Sequence, residues 1–473
     1  MKIPMVMSAL VLAGLSVAAS AQGSAPTAKV ETGTLAGVAQ DGVLSWKGIP
    51  FAAPPTGDLR WRAPQPAKAW SGVRQATSYA SDCMQKPFGG DAAPLGTPPA
   101  EDCLYANVWR PEKAEGKLPV LVWIYGGGFI NGGASPATYS GAELAKKGVL
   151  VFSFNYRIGR FGFFAHPALT KADPDDGKLV NYGYMDQIAA LEWVKRNIAA
   201  FGGDPDNVTI AGESAGGNSV DNLLTLPAAK GLFDKAVVMS GGNGKGFTKS
   251  SMETAHEAGV AFAKKKGITG TGPAALEKLR ALSGEDVVDG LNLMALFAPQ
   301  EGPVTYTLPV VDGVTAAPQR SNFESGDFAH VPVMIGATAA DIGGVEGQMV
   351  AGARKLAKVI GDQGVPVYEY RFSYVADSVA APGAQHATDI PFFFDTQSAK
   401  YGEETSVRDN AMGDAMSSYL VNFAKTGAPS TGWGLPAWKP YAEANGQIMD
   451  FATDGKVHFR EDPWQAEIDA ADM

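Results

Sequence analysis

Residues 208–216 read Val-Thr-Ile-Ala-Gly-Glu-Ser-Ala-Gly, a short apolar run followed by a G-x-S-x-G pentapeptide. The run predicts a buried strand, and glycine or alanine around Ser214 permits a turn that is too sharp for larger side chains. Residues 215–224 then predict a helix whose first N–H groups favour negative charge beside the serine. The stretch therefore predicts a nucleophilic serine with an exposed hydroxyl. The alternative is an inert serine in a glycine-rich turn.

Strand and helix patterns alternate outward from this stretch. Residues 118–124 are apolar throughout, which is typical of a strand buried on both faces. This alternation predicts an α/β fold with a mostly parallel central sheet and helices on both faces. No internal repeat or long linker is present, so residues 22–473 are expected to form a single domain. Further strands are predicted at 30–35, 43–47, 107–109, 149–155, 235–240, 331–336, 367–372 and 447–451, and helices at 141–147 and 185–200.

The composition limits the class of partner. The chain has 473 residues, of which 45% are hydrophobic and 19% charged, and its formal net charge is −10. These values are typical of a globular protein with a substantial core. Because no cluster of Lys and Arg offsets the negative charge, binding to nucleic acid or to an anionic membrane surface is not expected.

The first 21 residues have the pattern of a secretory signal peptide. Lys2 is their only charge, a largely apolar run covers residues 3–18, and Ala19-Ser20-Ala21 fits a cleavage site. No later stretch offers about eighteen consecutive apolar residues, so no membrane anchor is expected. The sequence predicts an exported protein, located in the periplasm or the medium.

Cys83 and Cys103 are the only cysteines. In an exported protein an even pair favours a disulfide over two free thiols. A bridge between these two cysteines stabilises the folded protein by about 3 kcal/mol in the loop-entropy model.

A glycine-rich stretch, residues 125–129 (Tyr-Gly-Gly-Gly-Phe), follows the apolar strand 118–124. Acyl transfer requires hydrogen-bond donors for the oxyanion that develops on the carbonyl oxygen. The backbone N–H groups of Gly127, Gly128 and Ala215 are predicted to supply them as an oxyanion hole. A phosphate-binding loop is the alternative, but the Lys-Ser/Thr ending of a P-loop is missing.

A serine nucleophile needs a base and an acid that orients it. In the chain order serine, acid, histidine, His386 is the base candidate because it lies in a loop far downstream of Ser214. Asp341 follows a predicted strand between the two and is the acid candidate, with Asp312 and Glu346 as competitors. The remaining histidines are His166, His256, His330 and His458.

Several stretches resemble the type-B carboxylesterases, the group that includes para-nitrobenzyl-type esterases and cholinesterases. The stretches are residues 47–51, 101–105, 123–129, 155–157, 201–205 and 212–217. The resemblance implies an α/β-hydrolase fold, a catalytic triad of Ser214, Asp341 and His386, and a Cys83–Cys103 disulfide. It also implies hydrolysis of a small-molecule ester, with no metal or organic cofactor.

The chain departs from this family in two places, and from the cholinesterases within it in a third. Asp341 stands where the family usually has glutamate, so the acid-bearing loop must come closer to the histidine. Only 45 residues separate Asp341 from His386, which predicts a shortened cap and a more open or differently roofed pocket. Residues 84–102 contain no tryptophan to hold a quaternary ammonium, so choline esters are not expected as substrates.

These features together predict a secreted serine hydrolase that cleaves carboxylic esters through an acyl-enzyme intermediate. Glu213 is expected to support the site, and Phe129, Ile130 and residues 392–394 are expected to wall the pocket. Two alternatives are an acyl hydrolase acting on amides, carbamates, lactones or thioesters, and a non-catalytic binding protein on the same fold. The intact set of serine, acid and histidine disfavours the binding protein. The sequence carries no signal for the oligomeric state.

Overall fold

The structure is a computed structural model that describes residues 25–173, 175–244, 250–430 and 434–470. The predicted signal peptide, residues 1–21, lies outside the described residues. The strands are β1 (Thr27–Val30), β2 (Gly33–Ala36), β3 (Val38–Gln40), β4 (Val43–Pro50), β5 (Val73–Gln75), β6 (Tyr105–Pro111), β7 (Leu118–Ile124), β8 (Leu150–Phe154), β9 (Phe163–Phe164), β10 (Val180–Asn181), β11 (Gly203–Glu213), β12 (Lys235–Met239), β13 (Val333–Thr338), β14 (Val367–Phe372), β15 (Gln447–Phe451) and β16 (Val457–Glu461).

The α-helices are α1 (Ala142–Lys146), α2 (Gly159–Gly162), α3 (Pro167–Ala172), α4 (Tyr182–Asn197), α5 (Ala215–Thr225), α6 (Met252–Lys265), α7 (Pro273–Arg280), α8 (Gly284–Val288), α9 (Gln319–Ser325), α10 (Val350–Gly361), α11 (Ile390–Phe393), α12 (Gln397–Tyr401), α13 (Val407–Thr426), α14 (Tyr441–Ala444) and α15 (Gln465–Ala470).

Eleven strands of the described chain form one mixed sheet in the order β16-β15-β14-β13-β12-β11-β7-β8-β6-β4-β3. The strands from β15 to β8 pair in parallel, while β16 at one side and β6, β4 and β3 at the other pair antiparallel. The apolar strand β7 pairs with β11 and β8 near the middle of the sheet, where its side chains are almost completely buried. This arrangement confirms the predicted α/β class with a mostly parallel centre.

The parallel centre places several chain turns at one edge of the sheet. Strands β7, β11, β12, β13 and β14 are neighbours and run in the same direction, so their carboxyl ends meet at that edge. Ligand sites of open α/β sheets form at this edge, because the loops there converge. The glycine-rich stretch follows β7, Ser214 follows β11 and Asp341 lies just beyond β13.

Helices flank the sheet and bury its faces. Helix α5 packs against β11 and β12, α10 against β13 and β14, and α13 against β7 and β11. The main core contains large aromatic side chains, among them Trp109, Trp123 and Trp193. A second core cluster, which includes Trp61 and Phe262, lies beneath helices α3, α6 and α7, outside the central sheet.

Most predicted elements agree with the structure to within a few residues, but one does not. The prediction of a single strand over residues 30–35 is wrong. Glu31 and Thr32 form a turn, so that β1 and β2 pair as an antiparallel hairpin. The alternating pattern ran through this turn because both strands are half-buried.

No helix in the described part of the chain combines the length and apolar character needed to cross a bilayer.

Candidate active site

Ser214 sits at the turn between strand β11 and helix α5. Its backbone has φ 55° and ψ −119°, a conformation that non-glycine residues rarely adopt. The Ser214 N–H donates a hydrogen bond of 2.9 Å to the carbonyl of Met239 at the end of β12, which holds the turn in place. The serine therefore projects from the carboxyl edge of the sheet.

The glycines of the pentapeptide are required because the backbone passes its neighbours at close range. A Cβ added to Gly216 would lie 2.0 Å from the carbonyl oxygen of Ile124, and one added to Gly212 would lie 2.3 Å from the carbonyl oxygen of Gly216. Neither distance leaves room for a side chain. The turn that exposes Ser214 thus depends on both glycines.

His386 joins the serine to Asp341. Its Nε2 lies 2.9 Å from the Ser214 Oγ, and its Nδ1 lies 2.6 Å from the Asp341 Oδ1. In the neutral tautomer with the proton on Nδ1, the ring donates to the carboxylate while Nε2 accepts from the serine hydroxyl. The structure therefore brings together the three residues that the sequence predicts as a triad.

The Asp341 carboxylate accepts hydrogen bonds from four groups besides His386. Its Oδ2 accepts from the hydroxyls of Ser240, at 2.6 Å, and Thr338, at 2.9 Å, and from the Thr338 N–H; its Oδ1 accepts from the Ile342 N–H at 2.7 Å. Burial alone would raise the pKa of Asp341. The hydrogen bond and charge of His386, together with the bonds from Ser240 and Ile342, hold its pKa below the usual value. The carboxylate is therefore kept ionised and fixed in direction.

Backbone contacts bring the acid-bearing loop and the histidine-bearing loop together. The Ala340 N–H donates to the carbonyl of Ala384 at 2.8 Å, and Ala340 and Gln385 form a parallel bridge. These contacts lie directly before Asp341 and His386. They bring the shorter aspartate side chain within reach of the imidazole.

Two further buried carboxyl groups surround the histidine. Glu213 Oε1 lies 3.2 Å from Nε2 of His386, and Asp389 is completely buried beside the hydroxyl of Tyr370. Burial raises the pKa of Glu213 to about 8, with the His386 charge opposing the rise. Burial and the charge of Asp341 raise the pKa of Asp389 to about 7. The sequence pointed to Glu213 as a supporting group, but it gave no signal for Asp389 beyond its position three residues after the histidine.

The carboxylates of Glu213 and Asp341 determine the pKa of His386. Burial lowers its pKa, but the charges of Glu213 and Asp341 and the hydrogen bond to Asp341 outweigh burial and raise the pKa to about 9. An imidazolium formed during a reaction would thus be strongly stabilised.

The glycine-rich loop after β7 lies beside the serine. A Cβ added to Gly126 would lie 3.0 Å from the Cβ of Ser214. Within the described residues, the N–H groups of Gly127, Gly128 and Ala215 donate to no protein acceptor. Ala215 also begins helix α5, whose positive end faces the serine. No described protein group therefore occupies the three predicted donors.

The cysteines, the competing acids and the other histidines lie away from Ser214 or play structural roles. Cys83 and Cys103 form a disulfide, and both are buried. Asp312 accepts hydrogen bonds within its own turn and Glu346 is exposed, so neither contacts the histidine. The other histidines contact groups away from Ser214. His166 caps α3, and His256 lies within hydrogen-bond distance of the Thr170 hydroxyl. His330 lies at the same kind of distance from the Gly326 carbonyl, and His458 from the Asp454 carboxylate.

Phe129, Ile130 and residues 392–394, which the sequence suggests as walls of the pocket, have almost no exposed surface. Phe129 is fully buried and packs its ring against Phe163 and Tyr184, while Phe394 packs against Trp123. These rings belong to the hydrophobic core. Proximity in sequence to a motif did not determine which way each side chain points.

Among the described residues, no group of three or more His, Cys, Asp or Glu side chains is placed to hold a metal ion.

A serine on a strand-to-helix turn, a histidine and a buried carboxylate at the carboxyl edge of a mixed sheet define a serine hydrolase of the α/β-hydrolase class.

Comparisons with known proteins identify the family. The model of the carboxylesterase family matches residues 24–351 and 345–467. The para-nitrobenzyl esterase of Bacillus subtilis (strain 168) is 33% identical over 91% of this chain and 95% of its own. The fumonisin B1 esterase of Sphingopyxis macrogoltabida is 32% identical over 89% and 86%, and carboxylesterase 1E of Mus musculus is 31% identical over 95% and 94%. A solved structure of a PNB esterase aligns over 94% of this chain and 98% of its own, with a TM-score of 0.80 and 30% identity. The chain belongs to the carboxylesterase family and is an ester-hydrolysing enzyme.

Proposed function

We propose that this protein is an exported carboxylesterase in which Ser214, His386 and Asp341 form the catalytic triad and the reaction passes through an acyl-enzyme. The observation that carries the proposal is the position of His386, with Nε2 2.9 Å from the serine hydroxyl and Nδ1 2.6 Å from the Asp341 carboxylate. In this arrangement one ring nitrogen can take the proton of the nucleophile while the other is held by a negative charge.

The first half of the reaction forms the acyl-enzyme. Ser214 Oγ attacks the ester carbonyl carbon as its proton moves to Nε2 of His386, and the carbonyl oxygen becomes an oxyanion. The N–H groups of Gly127, Gly128 and Ala215 donate to that oxygen. The imidazolium then gives its proton to the leaving alcohol, the carbon–oxygen bond to the alcohol breaks, and the acyl group stays on Ser214.

The second half repeats these steps with water as the nucleophile. His386 takes a proton from water, the resulting hydroxide adds to the acyl carbon, and a second oxyanion occupies the same donors. The proton returns to the Ser214 Oγ, which leaves as the hydroxyl and releases the carboxylic acid. The negative charge of Asp341 stabilises the imidazolium in both halves.

The substrates that we propose are small-molecule carboxylic esters. Two relatives carry the names para-nitrobenzyl esterase and fumonisin B1 esterase, and the first name suggests para-nitrobenzyl esters as initial test substrates. Choline esters are not proposed because residues 84–102 contain no tryptophan. Amides, carbamates, lactones and thioesters share the acyl-transfer chemistry and belong in the same substrate panel.

We also propose export to the periplasm or the medium. The signal-like residues 1–21 support this location, and the disulfide between Cys83 and Cys103 suits an oxidising compartment. N-terminal sequencing of the protein from its source cells would test the proposal: a mature chain beginning near residue 22 is expected, and an intact Met1 in the cytoplasm would contradict it.

The test of the triad is the Ser214→Ala variant, assayed with para-nitrobenzyl and p-nitrophenyl esters and with a fluorophosphonate label. Hydrolysis should fall by several orders of magnitude, as it does when a serine nucleophile is removed. Labelling should vanish, and mass spectrometry of the wild type should locate the label on the peptide that contains residue 214. Esterase activity that persists in the folded variant would exclude Ser214 as the nucleophile.

A further inference from the structure

The oxyanion loop, residues 125–129, holds a backbone conformation that needs support from its surroundings. Gly127, Gly128 and Phe129 all have positive φ, at 99°, 63° and 60°. For Phe129 this conformation is unfavourable, because its Cβ crowds the backbone. A loop in such a state keeps its N–H groups in a fixed direction only where neighbouring groups hold it.

Asn131, two residues beyond the loop, makes contacts with three separate parts of the chain. Its backbone N–H donates to the carbonyl of Gly127 at 3.0 Å. Its Nδ2 donates to Oε1 of Gln85 and to the carbonyl of Lys86, both at 2.9 Å. Its Oδ1 accepts the N–H of Leu293 at 2.6 Å. Asn131 as a whole residue is 2% exposed, so these bonds are shielded from water.

Gln85 connects Asn131 to the disulfide loop, the stretch of residues 84–102 that the Cys83–Cys103 bridge closes. Its Oε1 accepts from the Asn131 amide and from the Gly132 N–H at 3.0 Å, while its Nε2 donates to the carbonyls of Gly132, at 2.6 Å, and Cys83, at 2.9 Å. Gln85 thus bonds both the chain that leaves the oxyanion loop and the backbone of a disulfide cysteine. The disulfide in turn fixes the position of residue 83 relative to residue 103.

Asn131 also anchors a short segment, Leu293–Leu296, that packs against Gly128 of the oxyanion loop. A Cβ added to Gly128 would lie 2.6 Å from Cδ1 of Leu293 and 2.7 Å from Cδ1 of Leu296, so both leucines lie directly against this glycine. The bond from the Leu293 N–H to Asn131 anchors the short 3₁₀ turn that carries them, Leu293–Leu296. Gly128 is therefore enclosed by groups that Asn131 links.

We infer that Asn131 is a positioning residue for the oxyanion hole, and that through its bonds to Gln85 and Lys86 it transmits the rigidity of the disulfide loop to the N–H groups of Gly127 and Gly128. This role rests on the proposed function of those N–H groups. It is specific to the transition state, because the donors matter most when the carbonyl oxygen becomes negatively charged.

The experiment compares Asn131→Leu with the wild type. Leucine has nearly the same size but lacks both the donors and the acceptor. We expect kcat to fall roughly 10- to 100-fold while KM changes only slightly, because small displacements of catalytic groups have effects of this size. Affinity for an aryl trifluoromethyl ketone, which adds the Ser214 Oγ to its carbonyl carbon and places an oxyanion in the hole, should fall by the same factor as kcat/KM.

Asn197 supplies a matched control. It is 3% exposed, and its side chain likewise bonds a residue distant in sequence, accepting from the Glu31 N–H and donating to the Glu31 carboxylate. Asn197→Leu should lower the melting temperature while leaving kcat and inhibitor affinity unchanged. Should Asn131→Leu fail to fold, Gln85→Ala removes the bonds that the Gln85 side chain makes to Asn131 and Gly132, and it should lower kcat while changing KM only slightly.

A Gln85→Ala/Asn131→Ala cycle tests the connection itself. If the two residues act through the hydrogen bond that joins them, the double variant should lose about as much kcat as the more impaired single variant. If the losses in kcat multiply instead, the two residues act independently and the connection is refuted. A folded Asn131→Leu enzyme with unchanged kcat and inhibitor affinity would overturn the inference, as would a rise in KM alone. Failure of the proposed function would be visible separately, as ester hydrolysis that survives Ser214→Ala.

Discussion

Replacing Glu213 by glutamine should move the pH dependence of ester hydrolysis to lower pH. The substitution keeps the size of the side chain and removes a negative charge 3.2 Å from Nε2 of His386. That charge favours the imidazolium, so it contributes to the raised pKa of His386, about 9. His386 acts as a base only when it is neutral. A lower pKa therefore keeps the enzyme active at lower pH.

The size of the effect follows from the distance. Two unit charges 3.2 Å apart interact by about 5 kcal/mol at an effective dielectric constant of about 20, which would lower the pKa by almost 4. This value is a ceiling, because both charges are delocalised and because Glu213, with a pKa raised to about 8, is itself protonated over part of the range. We expect the midpoint of the acid limb to fall by about 1 to 2 pH units.

The measurement is kcat/KM for a short p-nitrophenyl ester from about pH 5 to pH 10, with released acid followed in a pH-stat. The plateau should also decrease, since Glu213 stabilises the imidazolium that forms in the transition state. Glu346→Gln is the control, because that carboxylate is exposed and contacts no triad residue. A midpoint that stays in place, or one that rises, would refute the electrostatic account of His386.

Three other substitutions test the rest of the site. Gly216→Ala should prevent folding or abolish activity, because its Cβ would lie 2.0 Å from a β7 carbonyl oxygen, whereas Gly89→Ala, with open space around the new Cβ, should leave activity and melting temperature unchanged. Replacing both Cys83 and Cys103 by serine should lower the free energy of unfolding by about 3 kcal/mol in urea titrations; an unchanged midpoint would count against that stabilisation. Asp341→Asn should reduce kcat by roughly 10²- to 10⁴-fold with little effect on KM, and a kcat within about twofold of the wild type would remove Asp341 from the triad.

The parts of the site that the sequence predicted are those with restrictive chemistry or geometry. Ser214 was identified because its turn admits little beyond glycine at two flanking positions, and strand β7 because only a doubly buried strand is apolar at every position. His386 could be chosen because few histidines were available and the chain order of triads is restrictive. The mostly parallel sheet followed from the alternation of strand and helix patterns.

Other features could not be predicted because they depend on contacts between distant residues. Ser240 and Thr338 hold Asp341 through their hydroxyls, yet nothing distinguishes them in sequence from other small polar residues. Asp389 acquires its raised pKa only through burial beside other carboxylates. Gln85 and Asn131 are separated by 46 residues and meet only once the disulfide loop folds over the glycine-rich loop.

The same contacts explain how an aspartate reaches His386 at a position where the resemblance to the family implies a glutamate. A shorter side chain reaches the imidazole only if the backbone comes closer, and the hydrogen bond from Ala340 to Ala384 draws the two loops together immediately before both residues. With the distance made up by the backbone, Ser240 and Thr338 fix the second carboxylate oxygen and Ile342 fixes the first. The side chain of Asp341 has no exposed surface left into which a longer side chain could extend. Substitution by glutamate would therefore push the carboxylate into His386, since the loop and the aspartate are fitted to each other.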